Sequence, residues 1–349
     1  MQGTLQAVSD RVEPAPVRAL SCRICGNSDT NGTHMAREMM FGSGDAFDYL
    51  ECSRCGCLQL LQVPEDPATY YGENYYAYRG PSQGVFKSFL RRRLVQHALG
   101  KKNLMGMALS MLCAAPGYCD WFRKCSVAWE SAILDVGCGI GGRILKMRSD
   151  GFRNLTGIDP YIEGDIAYDC GVNVYKRHLC DMDDEFDFIM LNHTFEHMED
   201  PFAVMRDLHR LLKPGGYVLV RIPVAGSYAW RTYGVHWVQL DAPRHVFLHT
   251  PQSIAVLASQ SGFNVADVTY DSYEFQFWGS EQYKRGISLM DARSYSVDPR
   301  KSIFSREQVK AFRARSAALN RTNEGDSACF FLQKAQPDSV SLAAMPMGG

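Results

Sequence analysis

The chain of 349 residues is 46% hydrophobic and 21% charged, an ordinary globular composition with ample apolar surface for a core. That balance excludes bulk disorder, collagen and coiled coil, and the length suits one large domain plus one small one. With 37 basic and 38 acidic residues the net charge is −1, so no global positive field asks for nucleic acid.

Residues 1–20 show no periodicity and no apolar run of a secretory signal, so a flexible leader and a cytoplasmic setting are expected. In a reducing compartment the 12 cysteines read as metal ligands before disulfides. Two pairs stand out, Cys22-x-x-Cys25 and Cys52-x-x-Cys55, each followed by a glycine. Each pair offers two thiolates from one tight turn, and two such turns make a tetrahedral structural zinc site. The 26 residues between the pairs exceed the usual spacing, so a hairpin is expected inside the module, with Cys57 and His34 as spare ligands. The remaining seven cysteines show no ligand spacing and read as small core residues.

A tyrosine-rich string, YYGENYYAY, closes this module at residue 78. Residues 79–130 read as helical and basic, with nine cations against the single acid Asp120 between 79 and 124. Such a block suits a phosphate-bearing or lipid-linked substrate, or an anionic membrane surface at which the protein is peripheral; otherwise it is a solvated helix face. The most apolar stretch, NLMGMALSMLCAAP at 103–116, is far short of the roughly 20 residues a spanning helix needs.

From 131 to 334 short apolar strands alternate with helices. Strands are predicted at 132–136, 155–158, 173–176, 186–191, 217–222, 265–270 and 328–333. Helices are predicted at 141–150, 200–212, 250–261 and 306–320. This alternation implies an α/β fold, a largely parallel sheet covered on both faces. A Pro-, Ser-, Met- and Gly-rich tail, 335–349, follows.

The string ILDVGCGIGG, from Ile133 to Gly142, is a buried strand entering a glycine turn and then a helix. Gly137, Gly139 and Gly142 fit the G-x-G-x-x-G dinucleotide pattern, although a structural turn alone would explain them. Asp135, two residues before the first glycine, would repel a pyrophosphate but suits a cationic sulfonium cofactor that carries an ammonium group. Asp159, ending the second strand, is placed to accept hydrogen bonds from ribose hydroxyls.

Four motifs in order, ILDVGCGIGG, GIDP, FDFIMLNHTFEHMEDP and LLKPGGYVLVRIP, resemble the class I S-adenosylmethionine-dependent methyltransferases. The resemblance covers roughly residues 131–334 and implies a Rossmann-like seven-stranded sheet whose last strand is antiparallel. It implies that Gly137 and Gly139 pack on the methionine part of the cofactor, with Asp135 facing its amine and Asp159 its ribose. Asp181 would stand near the adenine, with Asp183 and Asp184 as competitors, and Asn192 and His193 would border the reacting methyl. A zinc module followed by a tyrosine cluster also resembles a narrower group, bacterial methyltransferases of sugar and surface-polysaccharide pathways. There the tyrosines lie over the substrate pocket, and Tyr75 and Tyr78 match the spaced pair. The chain departs from the sugar C-methyltransferases in ending soon after the last strand, which leaves O- and C-methylation open.

Methyl transfer to a hydroxyl or carbon needs positioning and a base. His245, in the polar and aromatic loop after the fifth strand, is the preferred base, since imidazole titrates near neutrality and that loop faces the cleft. Its neighbour Arg244 could hold a substrate phosphate or carboxylate, with His236 the runner-up base and Tyr233 and Trp237 as pocket walls. His197, in the string Phe195-Glu196-His197, is the second catalytic candidate, or else caps a helix. The pattern His193-x-x-Glu196-His197 resembles the Glu-x-x-Glu-His cation motif of some ubiquinone-pathway O-methyltransferases. The expected activity is O-methylation of a sugar, nucleotide-linked or in a glycan; alternatives are sugar C-methylation, methylation of a small aromatic or quinone-type hydroxyl, and a zinc-ribbon binding module on a degenerate fold. An RNA methyltransferase is disfavoured by the charge of −1 and by Leu191-Asn192-His193-Thr194, where base methylases carry an Asn-Pro-Pro-Tyr-like string.

Overall fold

The computed structural model describes residues 20–71 and 85–335. The expected leader, the segment holding Tyr75 and Tyr78, and the tail beyond Ala335 lie outside the described residues.

The first cysteine turn leads into β1 (Gly32–Arg37), which pairs antiparallel with β2 (Ala46–Glu51), Gly32 opposite Glu51. This is the hairpin expected between the cysteine pairs. The second cysteine turn leads into β3 (Leu58–Leu60). Three helices follow: α1 (Val85–Ala98), α2 (Leu104–Ser110) and α3 (Tyr118–Lys124).

The larger unit then runs β4 (Ile133–Val136), α4 (Gly142–Asp150), β5 (Leu155–Ile158), β6 (Ile166–Ala167), β7 (Asn173–Tyr175), β8 (Phe186–Asn192) and α5 (Pro201–Leu211). It continues with β9 (Leu212–Pro223), α6 (Tyr228–Tyr233), β10 (Phe247–Leu248), α7 (Pro251–Gln260), β11 (Phe263–Tyr270), α8 (Phe275–Tyr283), α9 (Arg306–Arg321) and β12 (Ser327–Lys334). The helices start where their caps dictate. Asp200 caps α5 ahead of Pro201 and Thr250 caps α7 ahead of Pro251, each accepting a backbone amide of the first turn.

The main sheet has the order β11-β12-β9-β8-β4-β5-β7-β6. Strands β7, β5, β4, β8 and β9 are parallel, whereas β12 runs antiparallel between β9 and β11, as expected of the last strand. Among the described residues this sheet has eight strands rather than seven. The addition is β6, two residues pairing antiparallel with β7 at the edge, too short to leave a pattern in the sequence.

Each face of this sheet carries its own core. On one face Phe122, Phe152 and Phe188 pack beneath the helices, and the buried carboxylate of Asp150 accepts hydrogen bonds from Arg91 of α1 and Tyr118 of α3. On the other face, Phe195, Leu208 and Ile254 belong to a core that continues into Tyr49 and Leu58 of the small sheet. The small sheet takes its fourth strand from the larger unit, β10 pairing with β3 at Phe247 and Gln59. The cysteine module is therefore sewn to the loop that follows β9.

Candidate active site

Strand order reverses at β4, between β8 and β5, the place where open α/β sheets bind ligands. Leaving β4, Gly137 adopts φ +69°, and its amide and that of Cys138 donate to the Ile158 carbonyl at 2.8 and 3.2 Å. A Cβ at Gly137 would lie 2.3 Å from the Thr194 methyl, so conformation and space both require glycine. The Gly139 amide donates to Asp159 Oδ2 at 2.8 Å and the Tyr161 amide to Oδ1 at 2.9 Å, which fixes that carboxylate at the cleft.

Asp135 is 3% exposed, and burial pushes its carboxyl up to about 6 against the pull of Arg143. A buried acid facing one guanidinium is a receptive partner for a further cation. The sequence reading did not single out Arg143, which opens α4 one residue beyond Gly142. Asp181 is exposed and caps its own single turn, accepting the His178 amide at 3.1 Å. Asn192 ends β8, its side-chain oxygen 3.4 Å from Arg221 Nη1. His193, at φ +53°, touches Arg221 through Nε2 and Glu196 through Nδ1.

Glu196, His197 and His245 converge with Asp241 on the other side of this cleft. The His245 Nδ1 lies 2.8 Å from the Gln239 carbonyl, which can only accept, so Nδ1–H is the donor and Nε2 is the nitrogen turned toward the carboxylates. That Nε2 stands 3.8 Å from Asp241 Oδ2 and 4.0 Å from Glu196 Oε1. His197 is oriented the same way, its Nδ1 donating to the Arg244 carbonyl at 2.8 Å, and it meets the His245 ring edge-on at 4.7 Å. The Tyr71 hydroxyl approaches His197 Nδ1 at 3.3 Å. Burial and the neighbouring His245 lower the His197 pKa, so this ring stays neutral. Burial opposes ionisation of Glu196, but the hydrogen bond from His193 outweighs it and leads the effects that hold its carboxyl down to about 2. The arrangement is a lone-pair acceptor backed by two carboxylates, suited to taking a proton and stabilising the resulting imidazolium.

The ligand atoms of Glu196, His197 and His245 lie within 4.8 Å of one another, a spacing a cation could bridge. The triad gathered is not the His193, Glu196 and His197 suggested by the sequence: His193 reaches Glu196 through Nδ1 while its Nε2 meets Arg221, and His245 takes the third place.

Three further expectations are corrected. Arg244 does not reach out for a substrate anion. Its guanidinium is fully buried, bonded to Asp241 at 2.6 and 3.0 Å, to Glu38 of the small sheet's hairpin at 3.0 Å, and to the Tyr70 carbonyl at 3.0 Å. Trp237 and Tyr233 are core rather than pocket walls, since Asp326 accepts the Trp237 indole N–H and Glu281 the Tyr233 hydroxyl. His236 is exposed away from the histidine cluster.

The four knuckle thiols do converge. Cys22 and Cys55 sulfurs are 3.6 Å apart, Cys25 and Cys52 sulfurs 3.5 Å, and all four lie within 4.8 Å of one another. Tetrahedral zinc with bonds of about 2.3 Å sets its sulfurs roughly 3.8 Å apart. The Gln59 amide donates to Cys22 Sγ at 2.9 Å, and the hydrogen bond from Cys55 holds the Cys22 thiol down to about 4. Neither spare ligand joins them: Cys57 contacts His249, and His34 is paired with Glu51.

The family described as "Methyltransferase domain" matches residues 95–268. The chain is 29% identical over 168 residues to a ubiquinone biosynthesis O-methyltransferase of Pseudomonas aeruginosa, covering 43% of this chain and 71% of that one. The protein of the same name from Pseudomonas syringae pv. tomato is 30% identical over 168 residues, with the same coverage. Among solved structures, a cyclopropane synthase from Mycobacterium tuberculosis overlays 61% of this chain and 84% of its own at 16% identity and a TM-score of 0.38, too remote to carry an argument. On the sequence match, the glycine-loop cleft with its two acids falls inside the matched span, and the chain belongs to the S-adenosylmethionine-dependent methyltransferases.

Proposed function

We propose that the chain methylates a hydroxyl of a small acceptor, with S-adenosylmethionine held in the glycine-loop cleft and His245 as proton acceptor. The observation that carries this reading is the Asp241–His245–Glu196 arrangement, with Nε2 of His245 free and two carboxylates beside it. In the direct displacement the acceptor oxygen forms a bond to the methyl carbon, the carbon–sulfur bond breaks, and sulfur keeps the electron pair as a neutral thioether. The acceptor proton passes to His245 Nε2.

On the cofactor side, Asp135 would neutralise the ammonium group, Asp159 would accept from the ribose hydroxyls, and Gly137 and Gly139 would allow close approach. Asp181 would serve the adenine, and Asn192 and His193 the methyl end. His197 orients the base and remains neutral.

The acceptor read first is a small aromatic or quinone-type hydroxyl, because the relatives named above are ubiquinone biosynthesis O-methyltransferases. A sugar hydroxyl is the second reading, supported by the cysteine knuckles that the sugar-methyltransferase resemblance pairs with this fold. The four thiols would hold a structural zinc ion, which would tie the two cysteine turns at the base of the hairpin. Transfer of labelled methyl to a panel of catechols and nucleotide sugars tests the assignment. His245→Gln should lower turnover by about 10²–10⁴-fold with cofactor affinity unchanged. Near-normal turnover of that variant would remove His245 from the mechanism.

A further inference from the structure

Between residues 85 and 119 the chain carries six basic residues and no acid, and from 103 to 119 no charge at all. These residues build α1, α2 and the turn after it. Gly106 presses α2 onto α1, since a Cβ there would meet the Arg93 carbonyl oxygen at 2.3 Å and His97 Cβ at 2.6 Å. The small helix is thus firmly seated, yet the side chains around that contact face outward. Leu104, Met111 and Leu112 are 81, 84 and 85% exposed, Met105 and Met107 45 and 50%. Five of the fifteen exposed large hydrophobics among the described residues therefore fall within nine consecutive positions. Clustering of this kind marks an interaction surface rather than scattered exposure.

The rim of the patch is cationic. A groove of about 330 Å³ between α1 and α2 is lined by His97, Lys101 and Lys102 together with Leu104 and Met107. Among the described residues, Lys87, Arg92, Arg93, Lys101 and Lys102 take part in no ion pair, although Lys101 lies over the Trp129 ring at 4.3 Å and Arg93 over Phe89 at 5.1 Å, whereas Arg91 is engaged by Asp150. The nearby acid Asp120 is paired with Arg123.

We propose that this corner docks on an anionic lipid bilayer. Leu104, Met105, Met107, Met111 and Leu112 enter the boundary between headgroups and acyl chains, while Lys101 and Lys102 meet lipid phosphates. An apolar tip with a collar of cations and no acid is complementary to that surface. A second copy of the chain would bring the same unpaired cations face to face, which opposes self-association. Methionine and leucine offer no stacking platform for bases, so nucleic acid is a poorer match. The inference is independent of which hydroxyl the active site methylates.

Co-sedimentation of the full chain with vesicles tests it. The protein should bind vesicles containing phosphatidylglycerol and not those of pure phosphatidylcholine, and raising salt to about 0.5 M should weaken binding through screening. Replacing Lys101 and Lys102 by Ser should lower the partition coefficient roughly 30-fold, at about tenfold per 1.4 kcal/mol and about 1 kcal/mol per cation. The triple variant Leu104→Ser, Met111→Ser, Leu112→Ser should lower it on the order of 100-fold or more, while circular dichroism and S-adenosylhomocysteine binding stay unchanged. Absence of binding to anionic vesicles, or equal binding by the triple variant, would overturn the proposal. So would a dimer in sedimentation velocity that the triple variant abolishes, which would give the patch to a second copy.

Discussion

Arg244 offers the sharpest test of how the small sheet supports the loop after β9. Its side chain is completely buried between two carboxylates, Asp241 three residues before it and Glu38 in the hairpin 206 residues away. Burial opposes the charge of Asp241, but Arg244 beside it holds that carboxyl below its usual range, and Glu38 also accepts the amides of Phe41, Gly42 and Ser43. Arg244→Met keeps most of the volume and removes the charge, leaving two acids buried without their cation. Breaking a buried pair in this way costs about 3–5 kcal/mol, several times the worth of an exposed pair. Arg244→Lys should recover part of that loss, because an ammonium cannot reproduce the fork that bridges both acids and the Tyr70 carbonyl. Urea denaturation followed by tryptophan fluorescence would measure the change, and S-adenosylhomocysteine affinity should hold in both variants because the side-chain partners of Arg244 are Asp241, Glu38 and Tyr70 rather than the glycine loop or its acids. Should Arg244→Met unfold within about 1 kcal/mol of the parent, or show no coupling to Glu38→Gln in a double-mutant cycle, the clamp is not what joins these elements.

The remaining expectations concern the metal and the cofactor acid. Metal analysis should give one zinc per chain, and Cys25→Ser should lose it and raise amide exchange in β1, β2 and β3, because zinc binding is coupled to folding; a metal-free protein with full protection there would refute the site. Burial raises the Asp135 carboxyl to about 6, and an ammonium group bound beside it would favour its ionised form. Affinity for S-adenosylhomocysteine should therefore be flat above about pH 7 and fall about tenfold per unit below 6, with a proton released on binding; a flat profile to pH 5 would remove Asp135 from the amine.

Much of this architecture was legible because local and global signals agree. ILDV followed by glycine can only be a buried strand entering a tight turn, and the residues Asp200-Pro201 and Thr250-Pro251 announce helix starts. The cysteine pairs named their own cluster. What escaped the sequence depends on distant partners. Helix α8 is buried on nearly every side, through Gln276, Phe277, Trp278, Gly279, Ser280, Gln282 and Tyr283, so it shows no amphipathic period. Gly279 there lets the helix approach Val238, whose side chain a Cβ would meet at 2.7 Å. Arg244 looked like an anion binder because Glu38 is far away in sequence, and Trp237 looked like a pocket wall because Asp326 is. Glu196 and Asp241 are 45 residues apart in the sequence, and only the fold brings both beside His245.

The central claim is that the cleft beyond β4, β5 and β8 holds the methyl donor through Asp135, the glycine loop and Asp159. Isothermal titration with S-adenosylhomocysteine tests it directly, using the zinc-loaded full chain and nicotinamide adenine dinucleotide as the control. The account predicts one site for S-adenosylhomocysteine, none for the dinucleotide, and a loss of about 1.5–3 kcal/mol in Asp159→Ala, the range for hydrogen bonds to a charged group. Binding of the dinucleotide, or undiminished S-adenosylhomocysteine affinity in Asp159→Ala, would contradict it.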